Sequence, residues 1–248
     1  MKTEPIQPAV RDNGTPRLET PGESAAWDAL RGQVRINVRP LASPSTIGLF
    51  GLAAGTFVLS GLQLGWVPQE QGDQVALALI GFAFVSQIIA SIVATLARDG
   101  VVASAMAVLA LTWLVIGLVM WFGQPGATSD ALGLLLIVSC VTMALIGLTA
   151  AMSKLAPALV FLTASLRFGL TAVYQLSADS PWKTGAGIVG LFLAVLAVYT
   201  GWAFLLESAT KQTVLPLGRR GPGATAIHGG LLEQVKDTPN EPGVRVQL

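Results

Sequence analysis

Six long blocks of apolar residues, separated by short polar segments, dominate the chain. They are Thr46–Val67, Gln74–Ala97, Val101–Phe122, Ala131–Met152, Leu155–Leu176 and Thr184–Leu206. Each block has about 22 residues, enough to cross a hydrocarbon core of about 30 Å as an α-helix. Bounded blocks of this length favour helices over the short alternating strands of a barrel. The pattern therefore predicts an all-α membrane protein with six transmembrane helices.

The blocks divide the chain into three regions. Residues 1–43 are rich in Pro, Gly and charge, which is typical of a largely disordered tail. Residues 44–207 form the predicted six-helix transmembrane domain, and residues 208–248 form a second polar tail. Two interpretations of the first tail stay open. It holds a short helix at Ser24–Arg31 and a strand-like segment at Val34–Arg39, or it is a basic, solvated leader, which the composition favours.

Composition supports a membrane protein over a soluble one. Hydrophobic residues make up 52% of the chain and charged residues only 12%, whereas a soluble domain has about 25% charged residues. The net charge of +1 gives no sign of a nucleic-acid partner. The single cysteine, Cys140, and the single histidine, His228, provide no His/Cys cluster for a metal. No enzyme motif is present and the blocks carry no catalytic group, so we expect neither an enzyme nor a cofactor.

The distribution of Lys and Arg predicts the orientation. For an even number of spans, the two tails and the loops that contain Arg98 and Lys154 lie on one side and hold thirteen Lys and Arg residues. The opposite loops hold only Lys183. Because cytoplasmic segments carry the excess of positive charge, we predict that both termini are cytoplasmic. The predicted location of this multi-pass protein is the plasma membrane.

Arg167 is the one charged residue inside the six blocks, which contain no Asp or Glu. A central Arg costs about 3 kcal/mol on insertion, so the guanidinium should have polar neighbours. Thr163, Thr171 and Tyr174 lie at helical spacing on the same face. This stripe predicts a substrate path in which Arg167 attracts a carboxylate. The alternative is that Arg167 snorkels, or binds backbone carbonyls at a subunit contact.

Two other blocks carry polar stripes at helical spacing, and for both we considered two roles. The residues are Thr56, Ser60 and Gln63 in the first block and Gln87, Ser91 and Thr95 in the second. Such side chains line a pore or join one helix to another by hydrogen bonds, and the second role is favoured. Gly51 and Gly55 have the spacing that allows close helix contact. Trp113 is interpreted as a packing residue.

Motifs at both ends of the membrane region point to a known family. The lead Val34–Pro44, followed by Ile47–Phe50, is similar to the family's Asn-Pro-x-Pro-Leu-Gly-Leu segment before span one. The exit Leu205–Gly218 contains Thr-Val-Leu-Pro-Leu-Gly, similar to the family's Thr-Val-Leu-Pro-hydrophobic-Gly ending. Gln87 matches a glutamine of the second span. On these residues the chain resembles the acetate uptake transporter family over about residues 34–218.

The resemblance implies six helices per protomer, a hexameric ring and a substrate path through each protomer. It also implies an apolar constriction formed by a Phe, a Tyr and a Leu from spans one, three and five. These positions fall at Leu52, Leu109 and about Thr163, where none of the three residue types is kept. Arg167 adds a charge that the resemblance does not imply. The departures leave the identity of the substrate open.

Together these observations predict a membrane permease or channel for acetate or a related small carboxylate. The predicted partners are that anion, the lipid bilayer and other copies of the chain. Two alternatives stay open. One is a scaffold or regulator that keeps the fold without transport, and the other is a channel for ammonia or another neutral small solute, for which Arg167 would be a hindrance.

Overall fold

The computed structural model describes residues 11–12, 15–16, 43–210, 212–221 and 223–224. The segments Ser24–Arg31 and Val34–Arg39 lie outside these residues, and so do most of the predicted tails. In the first tail, the two-residue strands β1 (Arg11–Asp12) and β2 (Thr15–Pro16) pair antiparallel, with Arg11 opposite Pro16. They belong to a separate unit from the helical unit at residues 41–229.

Within the described residues, six helices are long and apolar enough to cross a membrane. They are α1 (Pro44–Gln63), α2 (Gln69–Leu96), α3 (Gly100–Phe122), α4 (Asp130–Ala151), α5 (Leu155–Ser177) and α6 (Ser180–Thr210). The six predicted blocks are therefore confirmed as six helices. Which end faces the cytoplasm stays a prediction.

Local chemistry explains where several helices begin and end. Asp99 accepts a hydrogen bond from the Val102 N–H at 3.0 Å and caps α3, and Ser129 caps α4 in the same way. The helix α1 ends at Gln63, earlier than the apolar block, because Gly65 takes a left-handed conformation with φ of 79°. The Trp66 N–H then bonds to the Gly61 carbonyl at 2.8 Å, the pattern of a glycine-terminated helix.

The helix α2 changes its winding along its length. A 3₁₀ turn at Gln69–Gln71 leads into an α-helical part, a π-helical segment at Leu79–Phe84 and a second α-helical part. The π-helical segment lies against α1, where a Cβ on Gly55 would stand 2.6 Å from that of Ala83. A Cβ on Gly51 would overlap the Ser86 hydroxyl. The close contact predicted for Gly51 and Gly55 is confirmed, because only glycine lets the two helices approach this far.

A strap formed by residues 212–221 covers the start of α5. Leu217 is buried, and the carbonyls of Leu217 and Gly218 accept hydrogen bonds from the N–H groups of Ala156 and Leu155, both at 3.1 Å. These N–H groups belong to the first turn of α5, and the N–H groups of a first turn have no carbonyl partners within their own helix. Arg219, at the end of the strap, forms a salt bridge with Glu207 of α6. The strap thus fixes the ends of α5 and α6 at this side of the bundle.

Candidate functional site

Two cavities enter the helix bundle from opposite ends. The first, called the Lys183-end cavity, has a volume of about 220 Å³ and is lined by Gln63, Ile116, Thr171, Tyr174 and Lys183, among others. These residues lie near the ends of α1, α3 and α5 and the beginning of α6. The cavity therefore opens at the side where these three helices end.

The second cavity, called the Lys154-end cavity, has a volume of about 110 Å³. Its lining includes Leu49, Met106, Lys154 and Phe161, from the starts of α1, α3 and α5, and Phe204, from the later part of α6. It therefore lies at the other end of the bundle. Each cavity is lined by one lysine, and the Lys154-end cavity is also lined by Asp99.

The segment between the two cavities is short and similar on three helices. On each of these helices, ten positions separate the lining of the Lys154-end cavity from the lining of the Lys183-end cavity. The pairs are Leu49 and Leu59 on α1, Met106 and Ile116 on α3, and Phe161 and Thr171 on α5. Ten residues of α-helix span about 15 Å. A solute that moved from one cavity to the other would cross this distance between α1, α3 and α5.

Arg167 lies inside this segment, and its side chain points into the bundle. The residue is only 2% exposed. Its Nη2 donates to the Gln63 side-chain oxygen at 3.3 Å and to the Thr56 carbonyl at 3.5 Å, both on α1. The guanidinium carbon lies 5.5 Å from the centre of the Trp113 ring on α3. Arg167 therefore contacts α1 and α3 within one protomer. It does bind a backbone carbonyl, as the alternative interpretation held, but inside the bundle.

Arg167 and three residues near it carry buried polar atoms that have no hydrogen-bond partner among the described residues. They are the Arg167 Nε, the Thr56 and Ser60 hydroxyls and the Trp113 indole nitrogen. A buried donor left unpaired costs about 1–3 kcal/mol, and folded proteins contain few of them. Four of the eight such atoms among the described residues belong to Arg167 and these three neighbours.

The predicted polar stripe on α5 runs from this segment into the Lys183-end cavity. Thr163 is half-buried in the segment between the cavities, and Thr171 and Tyr174 line the cavity. The Thr171 hydroxyl donates to the Arg167 carbonyl at 2.9 Å. The Lys183 ammonium lies 5.9 Å from the centre of the Tyr174 ring. Thr171, which is bonded to Arg167, thus lines a cavity that is also lined by Lys183.

Leu52 and Leu109 are completely buried, and along their helices both lie between the residues that line the two cavities. Gln87 is also completely buried. Its side-chain nitrogen donates to the Gly48 carbonyl at 3.4 Å, whereas its Oε1 has no partner among the described residues. Gln87 thus joins α2 to α1, which is the helix–helix role favoured for its stripe.

Lys154, in the loop before α5, is held in a crowded environment. Its ammonium lies 5.2 Å from the centre of the Phe204 ring. Burial lowers the pKa of Lys154 below its usual value of 10.5, and the charge of Arg219 acts in the same direction. Asp99 and Glu207 oppose the shift. Lys154 is therefore a cation whose charge is easier to remove than that of a free lysine.

The family of the chain follows from a sequence match over most of the helical region. The model of the GPR1/FUN34/yaaH family matches residues 29–218. The chain belongs to this family. The resemblance inferred from the end motifs is confirmed, and the matched range includes all six helices and residues 212–218 of the strap.

A solved structure described as the "bacterial acetate channel SatP" has a similar fold, with a TM-score of 0.64 and 22% sequence identity. The similarity covers 72% of this chain and 99% of that one. No curated protein matches the chain by sequence. At this identity the likeness establishes the fold of this family member, an all-helical multi-pass arrangement.

Sequence reasoning missed three features of the site. Lys154 and Lys183 were counted only for orientation, although each lines a cavity. Trp113 was interpreted as packing; it is fully buried, and it also faces the guanidinium. The polar stripe of Thr56, Ser60 and Gln63 was a usable signal, because Thr56 and Gln63 are the residues of α1 that accept hydrogen bonds from Arg167. The stripe alone did not indicate which helix it faces.

Proposed function

We propose that this protein is a membrane permease or channel that conducts acetate or a related small carboxylate through each protomer. The observation that carries the proposal is the position of Arg167, a fully buried guanidinium in the segment between two cavities. Membership of the GPR1/FUN34/yaaH family and the fold similarity to a protein described as an acetate channel support it.

The surroundings of Arg167 favour an anion over a cation or a neutral solute. Its side-chain hydrogen bonds go to the neutral Gln63 amide and the Thr56 carbonyl. No carboxylate of the described residues forms a salt bridge with it. A buried charge without a counter-ion is costly, and intramembrane cations commonly mark an ion pathway. A carboxylate that entered the bundle would supply the missing negative charge.

The proposed path has a cation at three levels. The anion enters beside Lys183 and Tyr174, passes Thr171 and reaches Arg167, and the lysine at position 154 lies in the opposite cavity. Between Arg167 and the Lys154-end cavity it crosses a segment formed by the apolar Leu52 and Leu109 and by Thr163, which acts as the constriction. Conduction needs sites that bind well enough for the solute to enter and weakly enough for it to leave. We place both tails in the cytoplasm and expect a plasma-membrane homo-oligomer, a hexamer by family resemblance.

A second candidate function is that of a non-transporting membrane scaffold or regulator. The complete burial of Leu52 and Leu109 between the cavities favours it, because a closed apolar segment does not require a solute. Neutral-solute conduction, for example of ammonia, is the remaining alternative, and the buried charge of Arg167 disfavours it.

Flux measurements separate the three functions. Purified protein is reconstituted in lipid vesicles, and uptake of labelled acetate, labelled succinate and ammonia is compared with uptake by protein-free vesicles. We expect saturable uptake of acetate well above the protein-free rate. Flux of no solute would favour the scaffold. Flux of ammonia without acetate would contradict the proposed anion path.

A further inference from the structure

The two cavities differ in the charges of their walls. Lys154 and Asp99 both line the Lys154-end cavity, which is the smaller of the two. The lining of the Lys183-end cavity, within the part of the chain that the structure describes, includes Lys183 but no Asp or Glu. A solute that crosses the bundle therefore passes a lining carboxylate at the Lys154 end and none at the other.

Asp99 is fixed in place at the beginning of α3. One of its side-chain oxygens accepts the hydrogen bond from the Val102 N–H that caps the helix. Asp99 is only partly exposed, and it forms no salt bridge with any residue that the structure describes. It interacts electrostatically with Lys154 at longer range. The carboxylate is thus held at the cavity wall without a direct counter-ion.

The rest of this wall is largely apolar and suits a solute with one charge. Leu49, Met106, Phe161 and Phe204 contribute most of the large side chains. A monocarboxylate can place its charge near Lys154 and its hydrocarbon end against these residues. A dicarboxylate brings a second negative charge into the same cavity, of about 110 Å³, that Asp99 lines. Like charges brought together in this way repel each other.

We propose that Asp99 makes the path select monocarboxylates over dicarboxylates, because it repels the second charge of a dicarboxylate in the Lys154-end cavity. This inference rests on the proposed function and names a specificity-determining residue for it. The Lys183-end cavity, which is larger and has no acidic residue in its described lining, admits both classes of anion. Discrimination therefore occurs at the Lys154 end.

The test compares succinate with acetate in the same reconstituted vesicles at neutral pH, where both carboxyl groups of succinate are ionised. Asp99→Asn removes the charge and keeps the cap of α3, because Asn and Asp cap helices equally well. An interaction between partly exposed charges corresponds to a factor of up to about five. We therefore expect the succinate-to-acetate flux ratio to rise by a factor of about three to five.

Two controls isolate the charge of Asp99 from other effects. Butyrate has four carbons, as succinate does, but a single carboxylate, so the butyrate-to-acetate ratio should not change in Asp99→Asn. Asp179→Asn is the matched protein control. Asp179 also stands just before a helix, α6, but it is exposed and lines neither cavity. We expect Asp179→Asn to leave both ratios at their wild-type values.

A third comparison excludes an indirect effect through Lys154. The charge of Asp99 raises the pKa of Lys154, so Asp99→Asn makes that lysine easier to deprotonate. Arginine stays charged under all these conditions. The same rise of the succinate-to-acetate ratio is therefore expected when Asp99→Asn is introduced together with Lys154→Arg and compared with Lys154→Arg alone. Loss of the effect in this background would contradict direct repulsion.

The outcomes separate the two proposals. If the wild-type protein conducts acetate and Asp99→Asn leaves the succinate-to-acetate ratio unchanged, the role of Asp99 is wrong and the proposed function stands. The role is also wrong if the butyrate ratio rises as much as the succinate ratio. If the wild-type protein conducts no acetate, both proposals are wrong. Should Asp99→Asn fail to fold, Asp99→Ser gives the same comparison, because Ser is an equally good cap.

Discussion

Replacing Arg167 by leucine separates transport from stability. The side chain is buried between the two cavities, where it would attract the permeating anion. At an effective dielectric constant of about 20, two opposite charges about 4 Å apart attract by about 4 kcal/mol. This corresponds to roughly a thousandfold in occupancy, part of which desolvation of the anion removes. We expect Arg167→Leu to lower acetate flux at least about a hundredfold.

The same change should alter stability little, because opposing terms nearly cancel. On insertion scales the replacement of a central Arg by Leu is favourable by about 3–4 kcal/mol. It removes two weak interhelical hydrogen bonds, each contributing about 0.6 kcal/mol and at most about 1.7. It also removes the cation–π contact with Trp113, which contributes about 0.5–2 kcal/mol. With the average hydrogen-bond value the net change is a stabilisation of about 1 kcal/mol, and over the whole range of these values it stays within about 2 kcal/mol in either direction.

The assay pairs flux with thermal unfolding of the same detergent-purified protein. Arg219→Leu is the matched control, because Arg219 is also a largely buried arginine but pairs with Glu207 and lines neither cavity. Its charge lowers the pKa of Lys154, so the substitution leaves Lys154 protonated. It leaves a half-buried carboxylate unpaired, so we expect a lower Tm with flux per folded molecule retained. The reasoning is refuted if Arg167→Leu keeps its flux, or if it loses flux only because the protein unfolds.

Three further predictions follow from the cavities and the helix contacts. Burial lowers the pKa of Lys154, so this residue loses its charge at a lower pH than a free lysine does. As the pH rises toward 10.5, acetate flux should therefore fall at a lower pH in the wild type than in Lys154→Arg. Leu109→Ala should raise flux severalfold by shortening a buried side chain of the constriction, whereas Leu111→Ala, at an exposed position, should not. Gly51→Ala should destabilise the protein by about 1–3 kcal/mol through overpacking, measured by thermal unfolding.

The controls for these predictions come from the chain itself. Gly81→Ala matches Gly51→Ala, because nothing lies within 4 Å of a Cβ at Gly81. An identical loss of stability in both variants would contradict the packing argument. Parallel pH profiles for the wild type and Lys154→Arg would show that the charge of Lys154 does not act on the anion. Equal flux in Leu109→Ala and the wild type would place the constriction elsewhere.

The helices could be predicted because their signal is local. Uncharged blocks of sufficient length have few structural solutions in lipid, since every backbone N–H and carbonyl must be bonded within the segment. Boundaries were less accurate. The end of α1 was placed at Val67 rather than Gln63, because Gly65 stops the helix inside an apolar block. Hydropathy cannot detect a stop signal that consists of backbone conformation.

The site was only partly predictable because its contacts join distant parts of the chain. The α5 stripe was visible, since Arg167 and Thr171 are neighbours on one helix. The bond from Arg167 to Gln63 links residues 104 positions apart, and no pattern within either helix specifies it. The cavity lysines were missed for a similar reason. The sequence places both lysines in the segments between the apolar blocks, and only the packing of the helix ends makes those segments part of the cavity walls.

The arrangement around Arg167 suits conduction better than tight binding. A bare guanidinium in a dry interior would hold a carboxylate strongly and release it slowly, whereas a conducting site must let the ion leave. Here Nη2 already donates to Gln63 and Thr56, and the ring of Trp113 lies near the cation. These neutral partners share the charge when the anion departs, so the empty state is less unfavourable.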